Sequence, residues 1–283
     1  MKQACRACKA HDARLLFDIG GNRVVRCCRC SHVYLDVVHD NSSIDALYAH
    51  YEERYFDRSS REIEQETLTN FDTYLENCRR FCLSLPAGPR LLDIGCGAGH
   101  LLERAQKHGF EVEGQDICGP LLDMAARRFG CTVHRGFLCD VELPPHSFDV
   151  IAMVDVLEHL KDPETELGLV RTLRKPGGIL FILTPNDQAL VRRLAKLSYT
   201  LSFHRFVFPM KSLYYIDHLS YFNRRSLSLL LKRTGFEMVH CETKNPELTR
   251  LSLPPAYRFC TKLLFLLSGH LNNMAGKLIV YAK

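Results

Sequence analysis

The stretch Leu91-Leu-Asp-Ile-Gly95-Cys-Gly97-Ala-Gly99-His100 decides the fold. A short apolar run breaks into three glycines at alternate positions and passes into an amphipathic segment, residues 101–108, that Gly109 ends. Strand, tight turn and helix in that order mark the place where open α/β sheets bind nucleotide-like ligands. The glycines let the chain turn sharply and let a ligand approach with no Cβ in the way. Outward from this point the rhythm repeats. Strands are expected over 90–94, 111–116, 131–135, 148–153 and 178–184, with a further helix over 121–129. After a break of about thirty residues come a helix over 226–234, a strand over 236–241 and a last strand over 278–282. Strands and helices in alternation predict an α/β fold, a doubly wound and mostly parallel sheet covered on both faces.

Two details narrow the ligand. In a dinucleotide fingerprint the third glycine falls one residue later, where this chain has His100. Asp93 stands just before the first glycine, where its charge would repel a pyrophosphate. A carboxylate there suits a nucleoside ligand that carries an ammonium group and no phosphate, such as S-adenosylmethionine. The next strand ends in Asp116, seventeen residues past Gly99, where a carboxylate can accept both ribose hydroxyls.

Upstream the chain changes character. Cys5-Arg-Ala-Cys8 and Cys27-Cys-Arg-Cys30 form two CxxC pairs with short β-like runs between them. Two such knuckles bring four thiolates around one Zn²⁺ and close a structural site, so residues 1–40 are expected to be a small zinc ribbon. Cys28 competes with Cys27, but Cys27 alone has the right spacing to Cys30. Residues 41–85 read as a helical linker or lid, with Leu47, Tyr51, Tyr55, Phe71, Leu75, Cys78 and Cys82 at helical spacing. Residues 86–283 form the main domain, interrupted by an insertion over 189–217.

Composition bounds the rest. The 283 residues are 46% hydrophobic and 24% charged, ordinary for a well-cored chain, and the net charge of +5 is too small to imply nucleic-acid binding. No apolar run approaches the ~18 residues of a membrane span. The first residues lack a secretory signal, and the 13 cysteines fit a reducing compartment, so a cytoplasmic location is expected.

Residues 90–185 resemble the class I methyltransferases, in the branch of ubiquinone-biosynthesis and small-molecule O-methyltransferases. The motifs that carry the likeness are Asp93-x-Gly95-x-Gly97-x-Gly99, Ser147-Phe-Asp-Val150, Asp155-Val-Leu-Glu158-His159-Leu160, Leu173-Arg-Lys-Pro-Gly-Gly178 and Thr184-Pro-Asn186. His218-Leu-Ser-Tyr-Phe222 and Thr234-Gly-Phe236 extend it. The resemblance implies a seven-stranded sheet whose terminal strand lies antiparallel beside its neighbour. It implies that Asp93, Gly95, Gly97 and Gly99 frame the methionine part of S-adenosylmethionine, that Asp116 holds the ribose, and that Asp155 lies beside the methionine end and the acceptor. The family's acidic residue after the third strand is missing here. Phe137 would pack on the adenine, the backbone near Leu138 would read its edge, and Asp140 is displaced by three residues.

Asp155, Glu158 and His159 stand at i, i+3 and i+4, so one helical turn would present all three on one face. With His218 they resemble the metal-binding carboxylate and His cluster of ubiquinone-type and small-RNA 2′-O-methyltransferases, with Asp155 in place of a Glu. Either a divalent ion (Mg²⁺ or Mn²⁺, with Zn²⁺ also suited) bound by Glu158, His159 and His218, or His159 or His218 as a base, would activate a hydroxyl. The expected acceptor is a small molecule of the lipid-linked, polyketide or sugar type. RNA methylation through the ribbon and a non-catalytic scaffold are the alternatives. The insertion mixes Arg192, Arg193, Lys196, Arg205 and Lys211 with Leu194, Leu197, Tyr199, Phe203, Phe206 and Phe208. It is expected to form an acceptor pocket or lid, with peripheral membrane contact as a further possibility.

Overall fold

A computed structural model describes residues 3–19, 21–36, 65–82, 85–214, 217–246, 262–268 and 274–283. The helix expected from Leu47, Tyr48, Tyr51 and Tyr55 lies outside these residues. The later part of that region is helical, as α1 (Gln65–Phe81).

The sheet core follows the sequence closely. The strands are β4 (Arg90–Ile94), β5 (Glu111–Asp116), β6 (Thr132–Arg135), β7 (Phe148–Val154), β8 (Arg174–Pro185), β10 (Met238–Lys244) and β11 (Lys277–Ala282). They form one seven-stranded sheet in the order β10-β11-β8-β7-β4-β5-β6. Its pairings are parallel from β6 to β8, and β11 is inserted antiparallel between β8 and β10. All of β7 except Val154 is buried, as expected for a central parallel strand covered on both sides.

The helices are α2 (His100–Lys107), α3 (Gly119–Phe129), α4 (Pro163–Leu173), α5 (Leu190–Leu201), α6 (Phe208–Leu213) and α7 (Arg224–Arg233). On one face Leu167, Val170 and Leu173 of α4 pack with Leu227, Leu230 and Leu231 of α7. On the other face Phe71, Tyr74, Leu75 and Cys78 of α1 pack with Leu101, Leu102 and Ala105 of α2.

Two boundaries moved for identifiable reasons. Helix α7 begins two residues before Ser226, because Asn223 caps it and Ser226 is the third residue of a reciprocal capping box. The strand expected from Phe236 starts at Met238, because Gly235 sits at φ +82° and the Phe236 N–H returns to the Leu231 carbonyl, keeping that turn with the helix.

The β-like runs between the two CxxC pairs are strands of a second sheet, which a strand from the HLSYF segment joins unforeseen. The N-terminal strands β1 (Ala13–Ile19), β2 (Asn22–Cys27) and β3 (Val33–Leu35) are joined at their edge by β9 (Ser220–Tyr221), inside the HLSYF segment. Val33 pairs with Tyr221 and Tyr34 with Ser220. The N-terminal region also shares a core with the main sheet, since Cys5, Val25, Cys27 and Tyr34 belong to the same apolar cluster as α4 and α7.

Candidate functional site

Both halves of the glycine loop reading have a geometric basis. Gly95, Gly97 and Gly99 lie at φ +70°, +52° and +80°. A Cβ on Gly95 would stand 2.3 Å from a Val156 methyl, so the close approach of the loop to the segment after β7 requires glycine there. Asp116, at the end of β5, accepts from the Gly97 N–H at 2.8 Å and the Cys118 N–H at 2.9 Å. Burial raises its carboxyl and these backbone donors offset part of the rise. Asp93 is buried, one of its carboxylate oxygens has no hydrogen-bond partner, and burial followed by the charge of Asp116 pushes its carboxyl well above the usual range.

These elements border a cleft of about 90 Å³ at the carboxyl edge of the sheet. Gly95, Asp116, Phe137, Leu138, Asp155 and His159 line it, whereas Asp93, Gly97 and Gly99 do not. Gln115 donates to the Gly136 carbonyl, which ties β5 to the turn that presents Phe137. Phe137 is half-exposed and Leu138 buried. Asp140 is exposed and does not line the cleft. Glu166 of α4 does line it, with its carboxyl raised by burial and then by Asp162 and Asp140. No motif points to Glu166. Only the packing of α4 against the turn after β6 brings it to the wall.

At the other end of the cleft the expected single helical turn is a three-residue 3-10 turn, Leu157–His159, that excludes Asp155. Asp155 sits at φ +55° and forms an ion pair with Lys277 of β11. Donor atoms of Glu158, His159 and His218 lie within 4.8 Å of one another, and Asp155 is not part of that group. Glu158 is buried, accepts from the Thr184 hydroxyl at 2.8 Å and has its other oxygen unpartnered; burial, then Asp155, raises its carboxyl to about 8. His159 Nδ1 donates to the Asp217 carbonyl at 2.8 Å, which makes Nε2 the nitrogen that bears the lone pair. Burial holds this imidazole neutral, and its ring meets His218 edge-on at 4.7 Å.

The four N-terminal thiols converge as their spacing predicts. Cys5, Cys8, Cys27 and Cys30 lie within 4.8 Å of each other, with Sγ–Sγ distances of 3.6 Å (Cys5 to Cys30) and 3.5 Å (Cys8 to Cys27). A disulfide would require about 2.05 Å, whereas a tetrahedral site with Zn–S near 2.3 Å has sulfurs about 3.8 Å apart. The knuckles match: the Cys5 carbonyl accepts from Lys9 N–H and the Cys27 carbonyl from Ser31 N–H, with Lys9 and Ser31 both left-handed. The Cys5–Cys30 contact splits the two thiols, lowering Cys30 to about 5 while Cys5 is pushed up. Cys28 is exposed and outside the cluster.

Hydrogen bonds join this cluster to the residues around His218. Arg6, inside the first knuckle, donates to Leu219 O at 2.8 Å, Leu35 O at 3.1 Å and Lys161 O at 3.3 Å. Asn223 donates to Ser31 O at 3.0 Å in the second knuckle. In the insertion, Arg192 is buried between the Tyr214 and Tyr221 rings and Lys196 pairs with Asp187 at 2.7 Å, so both are structural cations. Leu197, Leu201, Phe203, Phe206 and Phe208 remain exposed, and the insertion does not line the cleft.

A family model described as "Methyltransferase domain" matches residues 65–241, more than half of the chain and the whole span that builds this cleft. The chain belongs to the methyltransferase-domain family. This methyltransferase domain is 38% identical over 105 residues to the ubiquinone biosynthesis O-methyltransferase of Paraburkholderia phymatum, covering 35% of this chain and 45% of that one. It is 34% identical over 128 residues to the enzyme of the same name from Coxiella burnetii, covering 44% and 53%. The chain spans about half the length of the curated relatives it matches. A S-adenosylmethionine-dependent methyltransferase from Archaeoglobus fulgidus superposes with a TM-score of 0.51 at 20% identity, over 75% of this chain and 94% of that one, which establishes the shared fold.

Proposed function

We propose that the protein transfers a methyl group from S-adenosylmethionine to a hydroxyl of a small-molecule acceptor. The observation that carries this reading is the pair of buried acids around a glycine loop in which Gly95 and Gly99 leave no room for a Cβ: Asp116 on the cleft wall and Asp93 two residues before Gly95. Bound in the cleft, the sulfonium supplies an electrophilic methyl group. The chain supplies position: Asp116 for the ribose hydroxyls, Phe137 and Leu138 for the adenine, and Asp93 with its three glycines for the methionine end. Glu166, on the wall near Phe137, replaces Asp140 as the acidic neighbour of the adenine.

The test is calorimetry with S-adenosylhomocysteine, and it carries a sign. In the free protein burial raises the Asp93 carboxyl, and an ammonium beside it favours the carboxylate. Its pKa is therefore lower in the complex than in the free protein. Affinity should rise with pH between those two values and level off above the higher one, with release of up to about one proton per ligand. Asp93→Asn should flatten this dependence. A wild-type protein that binds no S-adenosylhomocysteine defeats the reading.

Glu158, His159 and His218 support activation of the acceptor hydroxyl, by a divalent ion such as Mg²⁺ or Mn²⁺ held on the three or by a neutral histidine acting as base. Once an acceptor is known, His159→Ala and His218→Ala should each lower turnover by about a hundredfold or more. Turnover that a chelator abolishes and Mg²⁺ or Mn²⁺ restores, with the thiolate-bound zinc retained, assigns the ion, and indifference to the chelator assigns the base. Near-wild-type turnover in both variants removes both roles.

The Cys5, Cys8, Cys27 and Cys30 cluster supports a structural Zn²⁺ and hence a zinc ribbon, with Arg6 clamping it to the segment that carries His218. The exposed Leu201, Phe203, Phe206 and Phe208, interleaved with exposed Arg193, Arg205 and Lys211, support contact of the insertion with an anionic membrane surface and so a lipid-linked acceptor.

A further inference from the structure

We infer that the chain holds a second, anion-binding cavity beside the cofactor cleft, built for the acidic group of a small carboxylated or phosphorylated acceptor. The inference rests on the methyltransferase reading and names the class of molecule it would methylate. The cavity has a volume of about 20 Å³, room for a water or for one oxyanion group and not for a ring. Thr67, Asn70 and Tyr74 of α1 form one side, and Leu183, Lys244 and Lys277 of β8, β10 and β11 form the other.

The sheet register makes this pair of lysines unusual. Lys244 is directly opposite Lys277, which is itself opposite Pro185 at the carboxyl end of β8. Like charges directly across a ladder oppose each other. Lys277 is answered by Asp155, while Lys244 donates to the neutral amide oxygen of Asn70. Among the described residues no carboxylate lines the cavity, so two ammonium groups face a space whose remaining walls are neutral. An oxyanion lodged there relieves the repulsion and takes a charge-assisted hydrogen bond from each lysine.

Position gives the cavity its role. Asp155 lines the cofactor cleft, its carboxylate pairs with Lys277, and its N–H donates to the Leu183 carbonyl at 2.8 Å. Lys277 on the wall of one space is thus paired with Asp155 on the wall of the other. An acceptor anchored by its acidic group on Lys244 and Lys277 would meet the cleft at that ion pair.

Benzoate, phenyl phosphate and neutral benzamide, titrated into the full chain alone and with S-adenosylhomocysteine, test this. One or both anions should bind, their ranking separates carboxylate from phosphate, and benzamide should not bind. Lys244→Gln should weaken the anion by about tenfold or more, and Lys244→Arg should restore it. Affinity for S-adenosylhomocysteine should be the same in all three proteins, which also shows that the variants are folded. Binding of benzamide equal to benzoate, no binding of either anion, or anion binding unchanged in Lys244→Gln overturns the inference. Failure of S-adenosylhomocysteine to bind while the anion arm holds would instead count against the methyltransferase reading alone.

Discussion

Asp116→Ala is expected to abolish measurable binding of S-adenosylhomocysteine while the sheet stays folded. Two effects add. The substitution removes the acceptor for two ribose hydroxyls, and hydrogen bonds to a charged group contribute about 1.5–3 kcal/mol each. It also strips the Gly97 and Cys118 N–H groups of the oxygens they donate to at 2.8 Å and 2.9 Å, so the glycine loop and the start of α3 lose their brace. A loss of a hundredfold or more in affinity, on the order of 3 kcal/mol, is therefore the smaller end of the expectation. Asp116→Asn keeps one acceptor and should fall between. Calorimetry with both variants, alongside circular dichroism, checks this; unchanged affinity in Asp116→Ala would move the ribose to another part of the cleft.

The second large effect concerns the N-terminal thiols. Purified protein should contain about one Zn²⁺ per chain, and the Cys5→Ser, Cys8→Ser double variant should contain none. Structural zinc in small domains contributes about 10–16 kcal/mol of binding free energy that is also folding free energy. Without it the knuckles that hold Arg6 and Ser31 should loosen. Arg6 then releases Leu219 O, Asn223 loses Ser31 O, and the Val33–Tyr221 pairing that fixes β9 is left on its own. The consequence reaches His218, one residue before Leu219, so methyl transfer should fall steeply. Binding of S-adenosylhomocysteine should survive, because Asp116 and the glycine loop belong to β4 and β5 of the seven-stranded sheet, whereas the ribbon strands pair with β9 in a separate sheet. Metal analysis and calorimetry on the same sample read the two halves separately. Zinc retained in the double variant would refute the four-thiolate site, and a parallel loss of cofactor binding would refute the independence of the cleft.

Local sequence carried most of the sheet. β4 lies where its apolar run and the glycines after it predict, because in a parallel sheet covered on both faces burial and strand identity coincide, and β5 spans the expected 111–116. The convergence of Cys5, Cys8, Cys27 and Cys30 was legible for a related reason: a CxxC knuckle is a local turn, and its spacing already contains its geometry. Asp93 and Asp116 were legible through their positions relative to one turn.

Where function depends on what packs against what, the sequence was silent. Glu166 reaches the cleft because α4 lies against the turn after β6, and nothing in the helix's own pattern distinguishes that carboxylate from its neighbours. Asp155, read as part of a helical trio, is instead turned by a left-handed backbone toward Lys277, a residue 122 positions away that only the antiparallel insertion of β11 brings near. The same insertion sets Lys244 opposite Lys277. The sequence by itself determined the α/β fold, the glycine loop with its acids and the thiol cluster, since each is encoded within one turn or one hydrophobic period. Tertiary structure alone decided that β9 joins the N-terminal sheet and that Asp155 of the cleft pairs with Lys277 of the second cavity. Pairings between distant strands leave no periodic trace in either partner.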